Sequence, residues 1–286
     1  MGGYRIFDFD GSVSSQMELM AHLGKRRHRV DLRRHRHAAR LWTSPRRFEA
    51  IRREAFLGEP PFFSFLGSGD YHHFTFLLLQ AQLRPLTLLL FDNHPDWTRP
   101  PHRYHCGTWI YSAARLPQVE RIVIVGLESS DIDGKNFAHG DMESFHDGRI
   151  VLLPTRDVNV RLSDGTMRTL PGGGVINAIL AVISSEWVYV SVDKDCLRSE
   201  DAHTNWEQGS LELSFVTTVI ERLGRRVVGA DTVGDWSSPW FVSPLKWIGS
   251  LLDRPRHAFA LAVGAKTLAR NQHANLRLLE AFDGCL

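Results

Sequence analysis

Cysteine is scarce in this chain: Cys106, Cys196 and Cys285 are the three in 286 residues. Their wide spacing and odd number exclude a disulfide framework and a thiolate zinc site, and point to a reducing, cytoplasmic setting. Long apolar runs are missing as well. No stretch reaches the ~18 residues that suggest a membrane span, and the N-terminus lacks a basic-then-apolar signal, so a soluble protein with no membrane partner is expected. Neither sign of charge is in excess: 34 Lys and Arg stand against 32 Asp and Glu, a formal net charge of +2. That balance gives no whole-molecule reason to expect nucleic acid as a partner. Internal repeats and low-complexity tracts are absent.

What remains is a chain that is 43% hydrophobic and long enough to bury a large core, expected to form a single domain over 1–286. Strands are expected at Tyr4–Phe9, Phe62–Leu66, Leu86–Phe91, Ile122–Val125, Ile150–Leu153, Trp187–Val192 and Val227–Ala230. Helices are expected at Phe74–Leu83, Val175–Ser184, Leu211–Leu223 and Thr267–Phe282. The alternation predicts an α/β fold, a mainly parallel sheet with helices on both faces. Asp131–Arg149 and Arg156–Gly174 read as loops. At about 25–55 the chain is crowded with Lys, Arg and His, including Arg33, Arg34, Arg36 and Arg40. Without an aromatic ladder or a nucleic-acid motif, this reads as a basic helical segment with a solvated face rather than a phosphate-tracking surface.

The chemistry concentrates where two strands end. Leu86–Phe91 runs into Asp92-Asn93-His94-Pro95-Asp96, and Trp187–Val192 runs into Asp193-Lys194-Asp195. Residues two apart on a strand project to one side, so Asp92, His94 and Asp96 can converge, as can Asp193 and Asp195. Four carboxylates meeting without compensation would repel and raise one another's pKa values, whereas two divalent ions would balance them. A binuclear metal centre is the reading, placed beyond the carboxyl ends of strands as open α/β sheets place their ligands. Gly67-Ser68-Gly69-Asp70-Tyr71-His72-His73 supplies an imidazole from a helix entry, and His72 is preferred to His73. In Tyr104-His105-Cys106-Gly107-Thr108, His105 is a candidate proton shuttle because histidine titrates near neutrality, with His102 its rival. Asp231 suits a supporting role behind a ligand, and Asp235 is a candidate contact for a cationic substrate group.

One motif points elsewhere. Phe7-Asp8-Phe9-Asp10-Gly11-Ser12 resembles the nucleophile loop of haloacid-dehalogenase-type phosphatases, with Asp8 attacking phosphate and Asp10 as general acid. Lys194, Asp231 and Asp235 would then complete a one-magnesium site, which leaves Asp92, His94 and Asp96 without a role.

Taken in order, Ser68-Gly69-Asp70-Tyr71-His72, Asp92-Asn93-His94-Pro95-Asp96, His105-Cys106-Gly107-Thr108 and Ser191-Val192-Asp193-Lys194-Asp195 resemble the arginase, agmatinase and formiminoglutamase family, the ureohydrolases. The resemblance runs from about Phe62 onward. It implies a three-layer α/β/α fold around a mainly parallel eight-stranded sheet. It implies two manganese ions at the sheet's carboxyl edge: His72, Asp92, Asp96 and Asp193 on one, His94 and Asp195 on the other, which shares Asp92 and Asp193. Oxygen and imidazole ligands suit manganese. A related deacetylase fold with a single zinc differs in metal count, and six potential ligands favour two ions.

The specificity segments depart from the family. Tyr71 is an extra residue in the usual Gly-Asp-His spacing, Cys196–Glu200 and Asn205–Gly209 replace the usual Asp-Pro and Pro-Gly loop, and Gly234 stands where the family has a guanidinium-holding Glu. Arginine and agmatine are therefore not named as substrates. The expected activity is hydrolysis of a non-peptide C–N bond in a small guanidino, formimino or amide compound by metal-bound hydroxide, with Asp195 holding the attacking water. Self-association is an open expectation. Two other readings stand beside it: the phosphatase, and a non-catalytic, metal-stabilised binding protein.

Overall fold

Leu86–Phe91 contains no charged residue and is buried along its whole length, as befits a strand covered on both faces. It lies inside a sheet of eight strands in the computed structural model, which describes residues 3–55, 62–100, 102–162, 166–238, 240–254 and 264–285. The strands are β1 (Tyr4–Asp8), β2 (Arg27–Asp31), β3 (Trp42–Thr43), β4 (Phe63–Gly67), β5 (Leu86–Phe91), β6 (Tyr104–His105), β7 (Val119–Leu127), β8 (Ile150–Pro154), β9 (Val158–Arg161), β10 (Met167–Leu170), β11 (Trp187–Asp193) and β12 (Val227–Val233). The main sheet runs β2-β1-β4-β12-β11-β5-β7-β8. Every neighbouring pair in it is parallel.

Alternate residues of each strand feed two apolar layers. Leu88 and Leu90 of β5 and Ile122 and Ile124 of β7 pack with Phe48, Phe74 and Ile110, whereas Leu89, Phe91, Val123 and Val125 pack with Val216, Ile220, Leu278 and Phe282. The first layer is covered by α3 (Pro45–Ala55), α4 (Thr75–Gln80) and α5 (Trp109–Ala113). The second is covered by α8 (Ile176–Val182), α9 (Leu213–Leu223) and α11 (Ala265–Asp283). This is the three-layer α/β/α fold with an eight-stranded parallel sheet. α1 (Met17–Leu23), α2 (Arg36–Ala39), α6 (Gly134–Phe137), α7 (Met142–His146) and α10 (Pro244–Asp253) complete the helices among the described residues. None of those helices is long and apolar enough to cross a membrane.

The chain winds outward from β5 through β7 to β8, then returns with β11 and β12 between β4 and β5. The carboxyl ends of these central strands therefore open onto one crevice. Register does the rest: Val192 lies opposite Phe91, and Val233 opposite Asp193, so the residues that follow emerge side by side.

Three stretches differ from the sequence expectation. The basic segment is not helical throughout, because Arg27–Asp31 forms the edge strand β2; with Val30 its one buried residue it carries no apolar run to read, and its exposed Arg and His blunt the sheet edge. Arg156–Gly174 contains the antiparallel pair β9 and β10, which lies outside the main sheet. Asp131–Arg149 holds α6 and α7, the latter capped by Asp141, whose side chain accepts from Ser144 N at 3.3 Å.

Candidate metal centre

Each strand end delivers its side chains for a local reason. Past β4 the chain turns at Gly67 and enters a 3-10 turn, Gly69–Phe74, capped by Ser68, and this turn carries His72 over the sheet edge. His72 Nδ1 lies 3.3 Å from Asp92 Oδ2, 3.3 Å from Asp96 Oδ2 and 3.3 Å from Asp193 Oδ2. His94 Nδ1 lies 2.9 Å from Asp195 Oδ2 and 3.8 Å from Asp92 Oδ1. Two groups able to hold an ion result, His72 with Asp92 and Asp193, and Asp92 with His94 and Asp195; Asp92 belongs to both. Asp193, expected to be shared as well, belongs to the first alone, and Asp96 reaches the cluster through His72.

The surroundings hold these groups in place. Asp96 has a left-handed backbone (φ 47°) and accepts from Trp109 Nε1 at 2.9 Å, a strained conformation kept by that indole. Asp195 accepts from Asn93 N at 3.1 Å, and Asp193 accepts from Asp195 N at 3.0 Å. Glycines sit on both sides of Asp193: a Cβ on Gly69 would lie 3.0 Å from its Oδ2, and one on Gly234 would lie 2.6 Å from its Oδ1. Gly234 is also left-handed (φ 87°). No side chain fits at Gly234 without overlap with Asp193 and the Lys194 backbone. Gly234→Ala is expected to destabilise the fold by about 2–4 kcal/mol through strain and overlap, read from the denaturant midpoint.

Electrostatics mark this cluster as built for cations. Burial, then repulsion from Asp195 and Asp96, pushes Asp92 well above the carboxylate range; burial raises Asp96; burial and Asp193 push Asp195 up to about 6. Against burial, Asp193, Asp92 and Asp96 carry His72 well above the usual imidazole range, and Asp195 does the same for His94. Asp92 Oδ2 is buried with no hydrogen-bond partner. Such a carboxylate oxygen amid oxygen and imidazole donors, with no thiolate, fits a divalent ion of the manganese type.

His73, the alternative to His72, is fully buried and takes no part in the cluster: neither ring nitrogen has a hydrogen-bond partner, and burial pushes it well below the usual range. His105 lines the cleft, whereas His102 does not. Its Nδ1 accepts from Gly107 N at 2.9 Å, and burial with Arg103 and Lys246 pushes its pKa down to about 4. The imidazole is therefore neutral at pH 7 with its proton on Nε2, rather than titrating near neutrality as expected.

Asp235 is a correction. It is buried outside the cleft lining, held by Gln16 Nε2 at 2.7 Å, Lys194 Nζ at 2.9 Å and Asn275 Nδ2 at 3.1 Å, so its oxygens are engaged inside the protein rather than offered to the cleft. The phosphatase reading is corrected by the same geometry. Asp8 is taken up by Arg29 Nε at 2.7 Å, Gly11 N at 2.8 Å and Ser14 Oγ at 3.1 Å, and Asp10 by Ser12 Oγ at 2.7 Å and Arg40 at 3.3 Å. Neither lines the cleft, and Lys194 is spent on Asp235 and Asn275.

The cleft has a volume of about 330 Å³ and is also lined by Trp97, Thr108, Asp131, His139, Trp206 and Glu207. Trp206 and Glu207 lie in Asn205–Gly209, which reads in the sequence only as a departure from the family. Trp206 meets the His94 ring edge-on at 5.7 Å and donates to Asp70 Oδ1 at 3.2 Å. Asp70 is in turn paired with Arg254 at 2.7 Å and Arg40 at 3.1 Å, which anchors this wall to the turn carrying His72.

A family model described as Arginase family matches residues 62–234. An uncharacterised protein of Thermotoga maritima is 28% identical over 173 residues, 60% of this chain and 57% of that relative's own length. Among solved structures, agmatine ureohydrolase of Thermoplasma volcanium superposes with a TM-score of 0.55 at 13% identity, covering 99% of this chain and 90% of that one. Arginase from Bacillus cereus gives 0.53 at 14% identity, covering 99% of each chain. At these identities the structural likeness speaks for the fold.

Proposed function

The chain belongs to the arginase family, and from that premise we propose that it is a single-domain hydrolase of a non-peptide C–N bond in a guanidino, formimino or amide compound, using two divalent ions, most simply Mn2+. The observation that carries the reading is Asp92, whose two oxygens face His72 and His94 and which stands in both ligand groups. His72, Asp92, Asp96 and Asp193 would hold one ion, and His94 and Asp195 with Asp92 the other. Such a pair would supply a nucleophile near neutral pH by lowering the pKa of bound water.

The chain's own groups complete the chemistry. Asp195, one oxygen of which accepts from Asn93 N, would hold the attacking water and take up its proton on a carboxylate oxygen. Neutral His105 would offer an Nε2–H hydrogen bond to the lone pair that develops on the departing nitrogen, and the proton taken up by Asp195 would pass to that nitrogen as the C–N bond breaks. Trp97 and Trp206 limit the entry of bulk water.

Purified protein is expected to carry two equivalents of metal by elemental analysis and to release ammonia or urea from one member of a guanidino, formimino and amide library, an activity lost on chelation and restored by Mn2+. Protein that keeps its metal and turns over none of them would support the binding-protein reading instead.

Asp131 and Glu207 are the charged side chains of the described cleft lining outside the ligand cluster, and no Lys or Arg is among them. A substrate with a neutral or amine-bearing tail suits this wall; one ending in a carboxylate does not. Glu207→Gln should raise KM for an amine-tailed substrate roughly fivefold with kcat little changed, since the side chain is exposed. Preferred turnover of a carboxylate-tailed compound would overturn this assignment.

A further inference from the structure

Behind His72, on the side away from the carboxylates, lies a buried polar chain. His72 Nε2 is 3.1 Å from Ser191 Oγ, and Ser191 Oγ donates to Asp231 Oδ1 at 2.8 Å. Strand register puts Ser191 of β11 directly opposite Asp231 of β12. Asp231 also accepts from Thr75 Oγ1 at 3.0 Å and Tyr189 OH at 2.8 Å. Thr75, Ser191 and Asp231 are fully buried and Tyr189 is 1% exposed.

We infer that Ser191 and Asp231 form a tautomer lock that fixes the proton of His72 on Nε2 and so presents Nδ1 to the cluster as a lone pair. The inference rests on the reading of His72 as a metal ligand. A serine hydroxyl has one proton. Given to Asp231, that proton leaves Ser191 Oγ able only to accept, and His72 Nε2 must be the donor. Reversing the chain would set a Ser191 lone pair against a carboxylate oxygen 2.8 Å away, with Thr75 and Tyr189 already donating to that carboxylate. Asp231 is bonded by three hydroxyls and by no Lys or Arg among the described residues. A buried carboxylate of that kind finds its counter-charge one hydroxyl away, at a histidine facing a cation. The arrangement is a carboxylate–histidine pair with a serine inserted, and Ser191 and Asp231 are positioning residues.

The test uses the full chain loaded with Zn2+ as a diamagnetic probe, together with Mn2+ titrations. In 15N-histidine spectra of the wild type, His72 should show a protonated Nε2 with a slowly exchanging hydrogen and a metal-bound Nδ1. Ser191→Ala and Asp231→Asn should weaken one of the two Mn2+ sites by about 10- to 100-fold and leave the other within a factor of two. An unprotonated Nε2 in the wild type, or variants that bind both ions as tightly as wild type, would overturn the lock. Wild-type protein that binds no metal would instead overturn the metal reading itself. Because the wild-type spectrum decides the tautomer alone, a variant that fails to fold does not protect the inference.

Discussion

Asp92→Asn is expected to lose turnover by roughly 10³-fold or more, the several kcal/mol of charge stabilisation that a metal pair contributes to a developing negative centre. The reason is positional. Asp92 Oδ2 faces His72 and Oδ1 faces His94, and it is the residue common to both ligand groups. An amide in its place offers one weak oxygen donor and one N–H, so both ions lose affinity together, whereas His94→Ala should deplete one. The metal-free variant should also be more stable than metal-free wild type at pH 8, because a carboxylate raised by burial and by Asp195 and Asp96 is no longer there to be charged. Metal content, ammonia release and denaturant midpoints on the same preparations check all three. A variant that keeps two equivalents of metal and full turnover would remove the basis of the proposed mechanism.

The second large effect is a reversal of pH dependence by metal. Without metal, Asp195 in the folded chain binds its proton up to about pH 6, above the ordinary carboxylate value, and Asp92 and Asp96 are raised likewise. His72 and His94 are raised well above the ordinary imidazole value. In each case the folded state holds protons that the unfolded chain has released, so stability falls as pH rises, from about pH 4 through the raised histidine range. With saturating metal the ligands are deprotonated in the folded state. Unfolding then takes up protons at low pH, and stability rises between about pH 4 and 6.5 before levelling. A hundredfold excess over Kd adds about 2.7 kcal/mol per site. Denaturant midpoints at pH 5 and pH 8, with chelator and with Mn2+, should therefore move in opposite directions. Metal-free protein that gains stability with rising pH would show that these carboxylates do not crowd one another.

Most of the sheet was legible from composition along the chain. Leu86–Phe91 and Trp187–Val192 are apolar without interruption, which is what burial on both faces demands, and they are strands with nearly those bounds. The edge strand Arg27–Asp31 was not legible, since a strand at a sheet edge needs no apolar run and benefits from charge. The same holds for the pair β9 and β10, which lies outside the main sheet and has two buried residues, Val160 and Leu170.

The sequence by itself determined the chemistry: Asp and His spaced two apart past two strand ends define a donor set, although Asp92, His94 and Asp96 lie beyond β5 and Asp195 lies in a 3-10 turn, so loop geometry rather than strand alternation makes them converge. Tertiary structure decided the geometry, because relations between distant segments follow from strand order and register. It put Asp92 between two histidines, chose His72 over His73, turned Asp235 inward onto Lys194, made His105 neutral, and set Ser191 opposite Asp231. Each of these depends on the environment a side chain meets after packing, where burial and neighbouring charge fix its proton and its partners, and no local pattern in the chain encodes that environment.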